Sequence, residues 1–350
     1  MNLKLSTLLC ALAAAQIQAA TPEAAMNAAR MPEADVVLNI SVAKIAASEF
    51  AKPALAFFEK GKALVAREEK EDVARLDAFI KTLKDENFSL ADFKTVTFAY
   101  DTDDGDMPPF AIHFEKPLAL EFLQKHAPVM IAWMEHGLED VTIEPVAKGV
   151  RWTNRACNDN YLATLPLDAN TIVYVGGEDL VKDAVKRLED GKQAGFRPAM
   201  KILLDETLTR RDAYLAMSHS EELREIFDDM IFWGLDFDED TPVGKKIKAA
   251  INALDGVTAG LDCAEKMSVT AALVFNAPEH AAFAGEFVSA VGFGAVKSGL
   301  FNLTGVAMPF MDSLKVSTQN QTVTVTAEVV AKDLEILLAG LEKMFPSAKP

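Results

Sequence analysis

Residues 94–122 (KTVTFAYDTDDGDMPPFAIHFEKPLALEF) align without a gap with residues 255–283 (DGVTAGLDCAEKMSVTAALVFNAPEHAAF), at a constant offset of 161 positions. The identical pairs are Val96 and Val257, Thr97 and Thr258, Asp101 and Asp262, Ala111 and Ala272, Phe114 and Phe275, Pro117 and Pro278, and Phe122 and Phe283. Each copy predicts a strand, a turn, a second strand and then a helix that begins at proline. Proline suits the first helical turn because its missing N–H has no partner there. The repetition indicates that one folding unit occurs twice.

The flanking segments extend the repeated order of elements. Asp35–Ser41 (DVVLNIS) resembles Asp212–Ser218 (DAYLAMS), and both predict strands. The predicted helices are Pro53–Asp85, Glu178–Asp190, Glu221–Trp233, Val243–Leu254 and Lys332–Phe345, and the predicted strand pairs are 141–146 with 150–153, 161–165 with 171–175, and 313–318 with 322–328. We predict that the pair within 141–153 of the first half corresponds to the pair within 313–328 of the second half. The pair within 161–175 is then an extra pair that occurs in the first half alone.

This order of elements predicts an α+β fold of two related lobes. Each lobe is expected to be an antiparallel sheet with helices packed on one face, in a ferredoxin-like arrangement of split βαβ repeats. Hairpins between the helices disfavour a parallel sheet, which needs a crossover between neighbouring strands. Gly191–Pro198 (GKQAGFRP) has the composition of a connector, so the expected lobes are residues 21–193 and 194–350.

Residues 1–20 have the layout of a secretory signal peptide. Lys4 supplies a positive charge, Leu5–Ala15 is an apolar run, and small residues follow up to Ala20. The apolar run is too short to cross a membrane as a stable helix. We therefore expect a periplasmic or secreted protein, with no stable membrane insertion after the signal peptide is cleaved.

The composition is that of an acidic globular protein. The 350 residues carry a formal net charge of −17, and 50% of them are hydrophobic. That hydrophobic content is ample for packed cores. A negative field repels the phosphates of nucleic acids. We therefore expect no nucleic-acid partner, and the partner is an unknown protein or an apolar ligand.

The cysteines leave two alternatives open. Cys10 belongs to the predicted signal peptide, so Cys157 and Cys263 remain in the mature chain. An oxidising compartment permits a disulfide between them, which would link the two halves. The alternative is a pair of buried thiols, which we favour because spacing alone does not establish the geometry that a disulfide needs.

Two short segments resemble the strand openings of uncharacterised exported bacterial proteins with duplicated strand and helix units. They are Met31–Leu38 (MPEADVVL) and Leu165–Ile172 (LPLDANTI). Val42, Lys44 and Ile45 after the first strand, and the turn Gly234–Asp236 before a later one, are similar to that family as well. The resemblance implies the duplicated architecture. It transfers no functional residue, because the family has no assigned activity.

Two acidic stretches are candidates for a metal site, since Ca²⁺ takes many oxygen ligands. The candidate ligands are Asp101, Asp103 and Asp106 in the first stretch, and Asp236, Asp238 and Asp240 in the second. Neither stretch completes the helix–loop–helix calcium pattern; in the second, Thr241 replaces the glycine and Ile247 replaces the final glutamate. We favour an acidic turn for the first stretch. For the second we favour a helix start at Thr241 and Pro242, with a metal site as the alternative.

Patterns typical of catalysis are absent from the sequence. His113, His126, His136, His219 and His280 include no zinc-binding pair with a neighbouring glutamate. There is no Gly-x-Ser-x-Gly motif, and in Ser218-His219-Ser220 adjacent strand residues point to opposite faces. Val175–Glu178 (VGGE) joins a strand to a helix, but its glutamate would repel a phosphate. We expect no catalytic residue and no cofactor.

The predicted helices are rich in phenylalanine and methionine, for example Phe287, Phe293 and Phe301. We favour an ordinary core, and the alternative is an apolar groove, at the surface or between the lobes. The observations favour an exported non-catalytic binding or scaffold protein of the cell envelope. One alternative is a carrier of a small apolar ligand or lipid, which predicts an enclosed cavity of at least ~300 Å³. Another is a metal-assisted hydrolase built on the acidic loops.

Overall fold

The structure of this protein is a computed structural model. It describes residues 34–68, 70–100, 110–117, 141–146, 149–154, 159–163, 170–176, 181–182, 186, 196, 198–228 and 238–342. The predicted signal peptide lies outside these ranges, as do Cys157, His126 and His136. Most of the predicted connector also lies outside them, so the boundary between the halves stays a prediction.

Twelve strands of the described chain form one antiparallel sheet, in the order β11-β12-β10-β9-β8-β1-β2-β3-β7-β6-β5-β4. The strands are β1 (Val36–Ile40), β2 (Phe93–Tyr100), β3 (Phe110–Phe114), β4 (Val141–Val146), β5 (Gly149–Asn154), β6 (Asp159–Ala163), β7 (Thr171–Gly176), β8 (Ala213–Ser218), β9 (Leu254–Cys263), β10 (Met267–Phe275), β11 (Lys315–Gln319) and β12 (Thr322–Val329). An α+β fold built on an antiparallel sheet is therefore confirmed.

Where the chain is described, the predicted helices are present, and further helices that we did not predict accompany them. They are α1 (Val42–Ala47), α2 (Ala51–Glu68), α3 (Lys70–Asp85), α4 (Pro198–Leu203), α5 (Glu206–Thr209), α6 (Glu221–Asp228), α7 (Pro242–Asn252), α8 (Pro278–Phe287), α9 (Phe293–Thr304) and α10 (Ala331–Glu342). Among the described residues, no helix has both the length and the hydrophobicity that crossing a membrane requires.

The two halves of the chain join through β1 and β8. We expected two lobes, each with its own sheet, but β1 pairs antiparallel with β8 along its whole length. At one end the Ser218 N–H donates to the Asp35 carbonyl oxygen over 2.7 Å, and at the other the Ser41 N–H donates to the Asp212 carbonyl oxygen over 2.7 Å. A strand edge carries unpaired N–H and C=O groups. Because the edge groups of β1 and β8 bond to each other, the two sheets that we expected are joined into one sheet.

The inner strands of both halves pair in the same register. Thr97 lies opposite Ala111 in the β2–β3 pair, and Thr258 lies opposite Ala272 in the β9–β10 pair. β7 lies beside β3 as β12 lies beside β10. Sheet position therefore matches β7 with β12, and the additional hairpin of the first half is β4–β5. We predicted that the strand pair within 141–153 corresponds to the pair within 313–328. The order of strands in the sheet shows that this prediction is wrong.

Helices cover both faces of the sheet, whereas we expected them on one face. Ala216 and Met217 are neighbours in β8, so their side chains point to opposite faces. Ala216 belongs to a buried cluster with Met200 and Leu203 of α4. Met217 packs against a second cluster, which includes Ala250 of α7 and residues of α8. Both faces need a covering layer because the central strands carry apolar side chains on both.

Two glycines of β9 let α4 and α5 approach the sheet. A Cβ at Gly256 would lie 2.6 Å from Leu203 Cδ1 and 2.7 Å from the Met217 carbonyl oxygen. A Cβ at Gly260 would lie 3.3 Å from Leu208 Cδ1. A side chain at Gly256 would meet the backbone of β8 as well as Leu203 of α4, whereas at Gly260 the nearest atoms belong to the side chains of Arg211 and Leu208.

The predicted helix start at Thr241 and Pro242 is confirmed, and a hairpin turn is seen between the predicted strands 313–318 and 322–328. Thr241 caps α7, because its hydroxyl accepts a hydrogen bond from the Gly244 N–H over 3.0 Å and Pro242 opens the helix. The tight turn between β11 and β12 places Asn320 at a φ of 52°. Asparagine tolerates this left-handed conformation in hairpin turns.

Asp92 ties the turn before β2 to the segment after β3, and this predicts a pH dependence. The Lys116 ammonium at 2.8 Å and the Ser89 N–H at 2.7 Å donate to its carboxylate and lower the pKa of Asp92. Such a carboxyl adds stability above its ordinary pKa of about 3.9 and loses it as the pH falls through the lowered folded-state pKa. The unfolding free energies of wild type and Asp92→Asn in urea should therefore differ most at neutral pH and converge below about pH 4. A difference that stays constant into acid would contradict this.

Candidate functional site

A cavity of about 340 Å³ lies between one face of the sheet and the helices of the second half. Strands β9 and β10 form its floor, and α6, α7, α8 and α9 contribute its walls. It is lined by Phe227, Ile247, Ala250, Ile251, Leu254, Leu273, Phe275, Phe283, Ala284, Phe287, Val288, Gly292, Ala295 and Val296. Val296, with 51% of its surface exposed, places the mouth of the cavity on α9. The volume is in the range of small-molecule pockets, roughly 300–1,000 Å³.

Helical spacing and small side chains build this cavity. Ile247 and Ile251 lie four positions apart on α7, so both point to the sheet, and they are 2% and 5% exposed. Ala250 and Ala284 contribute only a methyl group each to the wall. Larger side chains at these two positions would occupy the space that the cavity leaves open.

The wall includes a π-helical stretch, Val288–Gly292, between α8 and α9. Its first and last residues both line the cavity. π-helical turns are rare and occur often at functional sites, where the wider turn changes the direction of side chains. Here the wider turn separates the helix that packs on the sheet from the helix at the mouth.

The wall offers hydrophobic contacts and no ionisable group. Every described residue that lines it is glycine, alanine, valine, leucine, isoleucine or phenylalanine. Phe283 and Phe287 stack with their ring centroids 6.3 Å apart. Apolar atoms around an empty space lack partners, so an apolar group that enters gains contacts and leaves water. The wall is therefore suited to binding, and it supplies no acid, base or nucleophile.

The polar residues His219, Arg224 and Asp228 adjoin residues that line the cavity, but none of the three belongs to its lining. His219 Nδ1 donates to the Leu254 carbonyl oxygen over 2.6 Å, and Leu254 lines the cavity. His219 Nε2 accepts a hydrogen bond from the Arg224 guanidinium. On α6, Asp228 lies one turn after Arg224 and directly after Phe227, which also lines the cavity. Arg224 Nε and Asp228 Oδ1 are buried and have no hydrogen-bond partner in the described structure.

The acidic metal candidates are only partly described. Asp238 Oδ1 accepts from the Asp240 N–H over 2.9 Å, and the Asp238 carbonyl oxygen accepts from the Thr241 hydroxyl over 2.8 Å. These bonds build the turn that precedes α7. Asp101, Asp103, Asp106 and Asp236 lie outside the described residues. Within the described ranges, no three His, Cys, Asp or Glu residues are grouped so that they could hold a metal ion.

The serine, histidine and cysteine candidates point in different directions. Ser218 is 3% exposed, and its hydroxyl donates to Asp35 over 3.0 Å, while His219 bonds to a backbone carbonyl. Cys263 carries a free, half-buried thiol. Burial and, after it, the Asp212 charge raise the pKa of that thiol, which reduces the reactive thiolate form. These residues are therefore not arranged as a nucleophile with its base.

Sequence reasoning missed most of the cavity. We gave Phe287, Phe293 and Phe301 as examples of the phenylalanine-rich helices. Of these three residues, Phe287 lines the cavity. The wall consists mainly of alanine and aliphatic residues, and it lies within the second half and not between the halves. The available signals were the spacing of Ile247 and Ile251 and a glycine-containing stretch between two helices.

No protein-family model matches this chain, and no curated protein matches it. Solved structures of TP0453 from Treponema pallidum are similar in fold. Crystal form III has a TM-score of 0.44 at 11% identity and covers 89% of this chain and 96% of that chain. Crystal form IV has a TM-score of 0.40 at 9% identity (89% and 95% covered), and crystal form I has 0.39 at 11% (93% and 99% covered). At these values the likeness assigns neither a function nor a functional residue.

Proposed function

We propose that this protein is an exported, non-catalytic binding protein that holds one apolar ligand, such as an acyl chain, in the cavity. The supporting observation is the cavity itself, about 340 Å³ with an apolar wall. Each methylene that leaves water contributes about 0.8 kcal/mol. Affinity should therefore rise roughly fourfold per added methylene until the cavity is full.

The exposed apolar residues favour this carrier over a protein scaffold. A scaffold needs a contiguous exposed apolar patch. Among the residues that the structure describes, the exposed large apolar side chains are Leu55, Ile202, Val243, Val296, Phe301, Val306 and Val330. They come from α2, α4, α7, α9 and the segments after α9 and β12. Two of these residues, Val296 and Phe301, belong to α9, and Val296 lines the cavity at its mouth.

Export and partner choice belong to the same proposal. Residues 1–20 direct the chain out of the cytoplasm, and it acts in the periplasm or outside the cell. The support is the charged start and apolar run of the sequence. A net charge of −17 keeps it away from nucleic acids. Neither a metal nor a cofactor takes part in the proposed binding.

We also propose that the chain is two copies of one unit, residues 21–193 and 194–350. The common register of β2–β3 and β9–β10 supports this. So does the seam, where Leu38 lies opposite Leu215, its counterpart in the repeated strand. An approximate twofold axis at this pair would relate the two copies, and the cavity belongs to the second.

Replacing Ala295 by phenylalanine is expected to abolish apolar binding. Ala295 lines the cavity near its mouth and is partly exposed, so the added ring fills the cavity without entering the packed core. Binding is measured with N-phenyl-1-naphthylamine, whose fluorescence rises in an apolar site. We expect at least a tenfold loss of affinity, equivalent to about 1.4 kcal/mol.

The matched control is Ala282→Phe, which adds the same ring to an exposed position of α8 outside the cavity wall. It should bind the dye as the wild type does. Native mass spectrometry of the purified chain tests the natural occupant independently. Wild-type protein that binds no dye, or two variants with the same affinity, would refute the proposed function.

A further inference from the structure

The helix at the mouth of the cavity, α9, presents large apolar side chains to solvent. Val296 and Phe301 of this helix are 51% and 52% exposed, and Val306, just after the helix, is 44% exposed. A Cβ at Gly294 or Gly299 would meet no neighbouring atom of the described structure within 4 Å. α9 packs against α10 and the π-helical stretch, and these contacts leave the exposed side of α9 uncovered.

The segment around α9 is nearly free of charge in an acidic protein. Residues 287–311 contain one ionisable side chain, Lys297, and no carboxylate. In the whole chain 25% of the residues are charged, and the net charge is −17. The protein as a whole is therefore repelled by an anionic surface, whereas this segment approaches an uncharged surface without desolvating a carboxylate.

The chemistry of this segment suits a lipid surface better than a protein partner. A specific protein interface surrounds its apolar centre with a polar, hydrogen-bonding rim, and residues 287–311 offer one charged group for such a rim. Apolar side chains on an exposed helix enter the boundary between headgroups and acyl chains, while a lysine beside them keeps its ammonium at the headgroups. The mouth of the cavity lies on the same helix at Val296, so an acyl chain from a bilayer would arrive at this side.

We infer that α9 and the turn after it dock this protein reversibly on an uncharged lipid surface, with Phe301 and Val306 inserted among the headgroups. Docking places the cavity mouth at Val296 against the bilayer. An acyl chain then passes between bilayer and cavity without exposing its apolar surface to water. The docking stands on the exposed residues of α9, whereas the passage of the ligand rests on the proposed function.

The test is flotation of the protein, purified after export, with phosphatidylcholine vesicles in a density gradient. We expect the wild type to float with the vesicles. Phe301→Ser should lower the partition coefficient about tenfold, because the ring no longer contributes its apolar surface to the interface. Phe301 does not line the cavity, so the affinity for N-phenyl-1-naphthylamine without vesicles should stay unchanged. That unchanged affinity shows that the variant is folded.

The matched control is Ile202→Ser. Ile202 is 75% exposed on α4, and α4 covers the face of the sheet opposite the cavity. Its replacement should leave both flotation and dye affinity unchanged. Equal losses of flotation for Ile202→Ser and Phe301→Ser would show general adsorption and overturn the inference. Stronger binding to vesicles that contain phosphatidylglycerol would overturn it as well, because charge would then direct the docking.

The remaining outcomes separate this inference from the proposed function. Wild-type protein that binds the dye but does not float refutes the docking and leaves the proposed function standing. If that protein is a dimer in analytical ultracentrifugation and Phe301→Ser makes it a monomer, a second copy covers α9 instead. Wild-type protein that floats but binds no dye removes the proposed function and supports the docking by itself.

Discussion

Asp212→Ala is expected to lower the free energy of unfolding by about 2–3 kcal/mol, because it leaves a backbone donor without its acceptor at the seam of the sheet. Asp212 is 9% exposed at the end of β8. Its Oδ2 accepts from the Cys263 N–H over 2.8 Å, and its Oδ1 accepts from the Lys44 ammonium over 2.8 Å. The carboxylate therefore connects β9 of the second half to α1 of the first.

The matched variant for this prediction is Lys44→Met. The Lys44 side chain is 61% exposed, so its ion pair with Asp212 is screened by water. Removing the ammonium should cost less than about 1 kcal/mol. Both free energies are measured by urea unfolding followed by circular dichroism. Equal costs for the two variants would show that the ion pair, and not the partly buried hydrogen bond from the Cys263 N–H, makes the contribution of Asp212.

Gly244→Ala is expected to cost about 3 kcal/mol, because its new methyl group collides with backbone that cannot rotate away. A Cβ at this position would overlap the Asp238 carbonyl oxygen and lie 2.8 Å from Glu239 Cα. Gly244 also donates to the Thr241 cap, so moving the loop aside breaks the start of α7. Because Ile247 and Ile251 of α7 line the cavity, dye binding should weaken together with stability.

A second glycine provides the control that distinguishes this steric clash from the general effect of placing alanine in a helix. A Cβ at Gly299 of α9 would meet no other atom within 4 Å. Gly299→Ala should therefore raise the free energy of unfolding by up to about 1 kcal/mol, as alanine does in helix interiors. Thermal unfolding of both variants measures the contrast. A loss at Gly299 as large as the loss at Gly244 would contradict the steric explanation.

Local patterns predicted much of the secondary structure. The repeated stretch predicted β2, β3, β9 and β10 and the proline that opens α8, and β11 and β12 were predicted as the strand pair 313–318 and 322–328. The cap at Thr241 was predicted because threonine before proline serves a helix start through its own side chain. Each of these features depends on residues that are close together in the sequence.

Sequence by itself therefore determined the antiparallel α+β class and most elements in the second half. Only the tertiary structure decided that β1 pairs with β8, that helices cover both faces, and that four helices and two strands leave an apolar cavity between them. The physical reason is that strand edges offer the same N–H and C=O groups whatever their side chains, so local sequence does not name the partner. A cavity likewise belongs to no single segment, since it is the space that several packed elements leave between them.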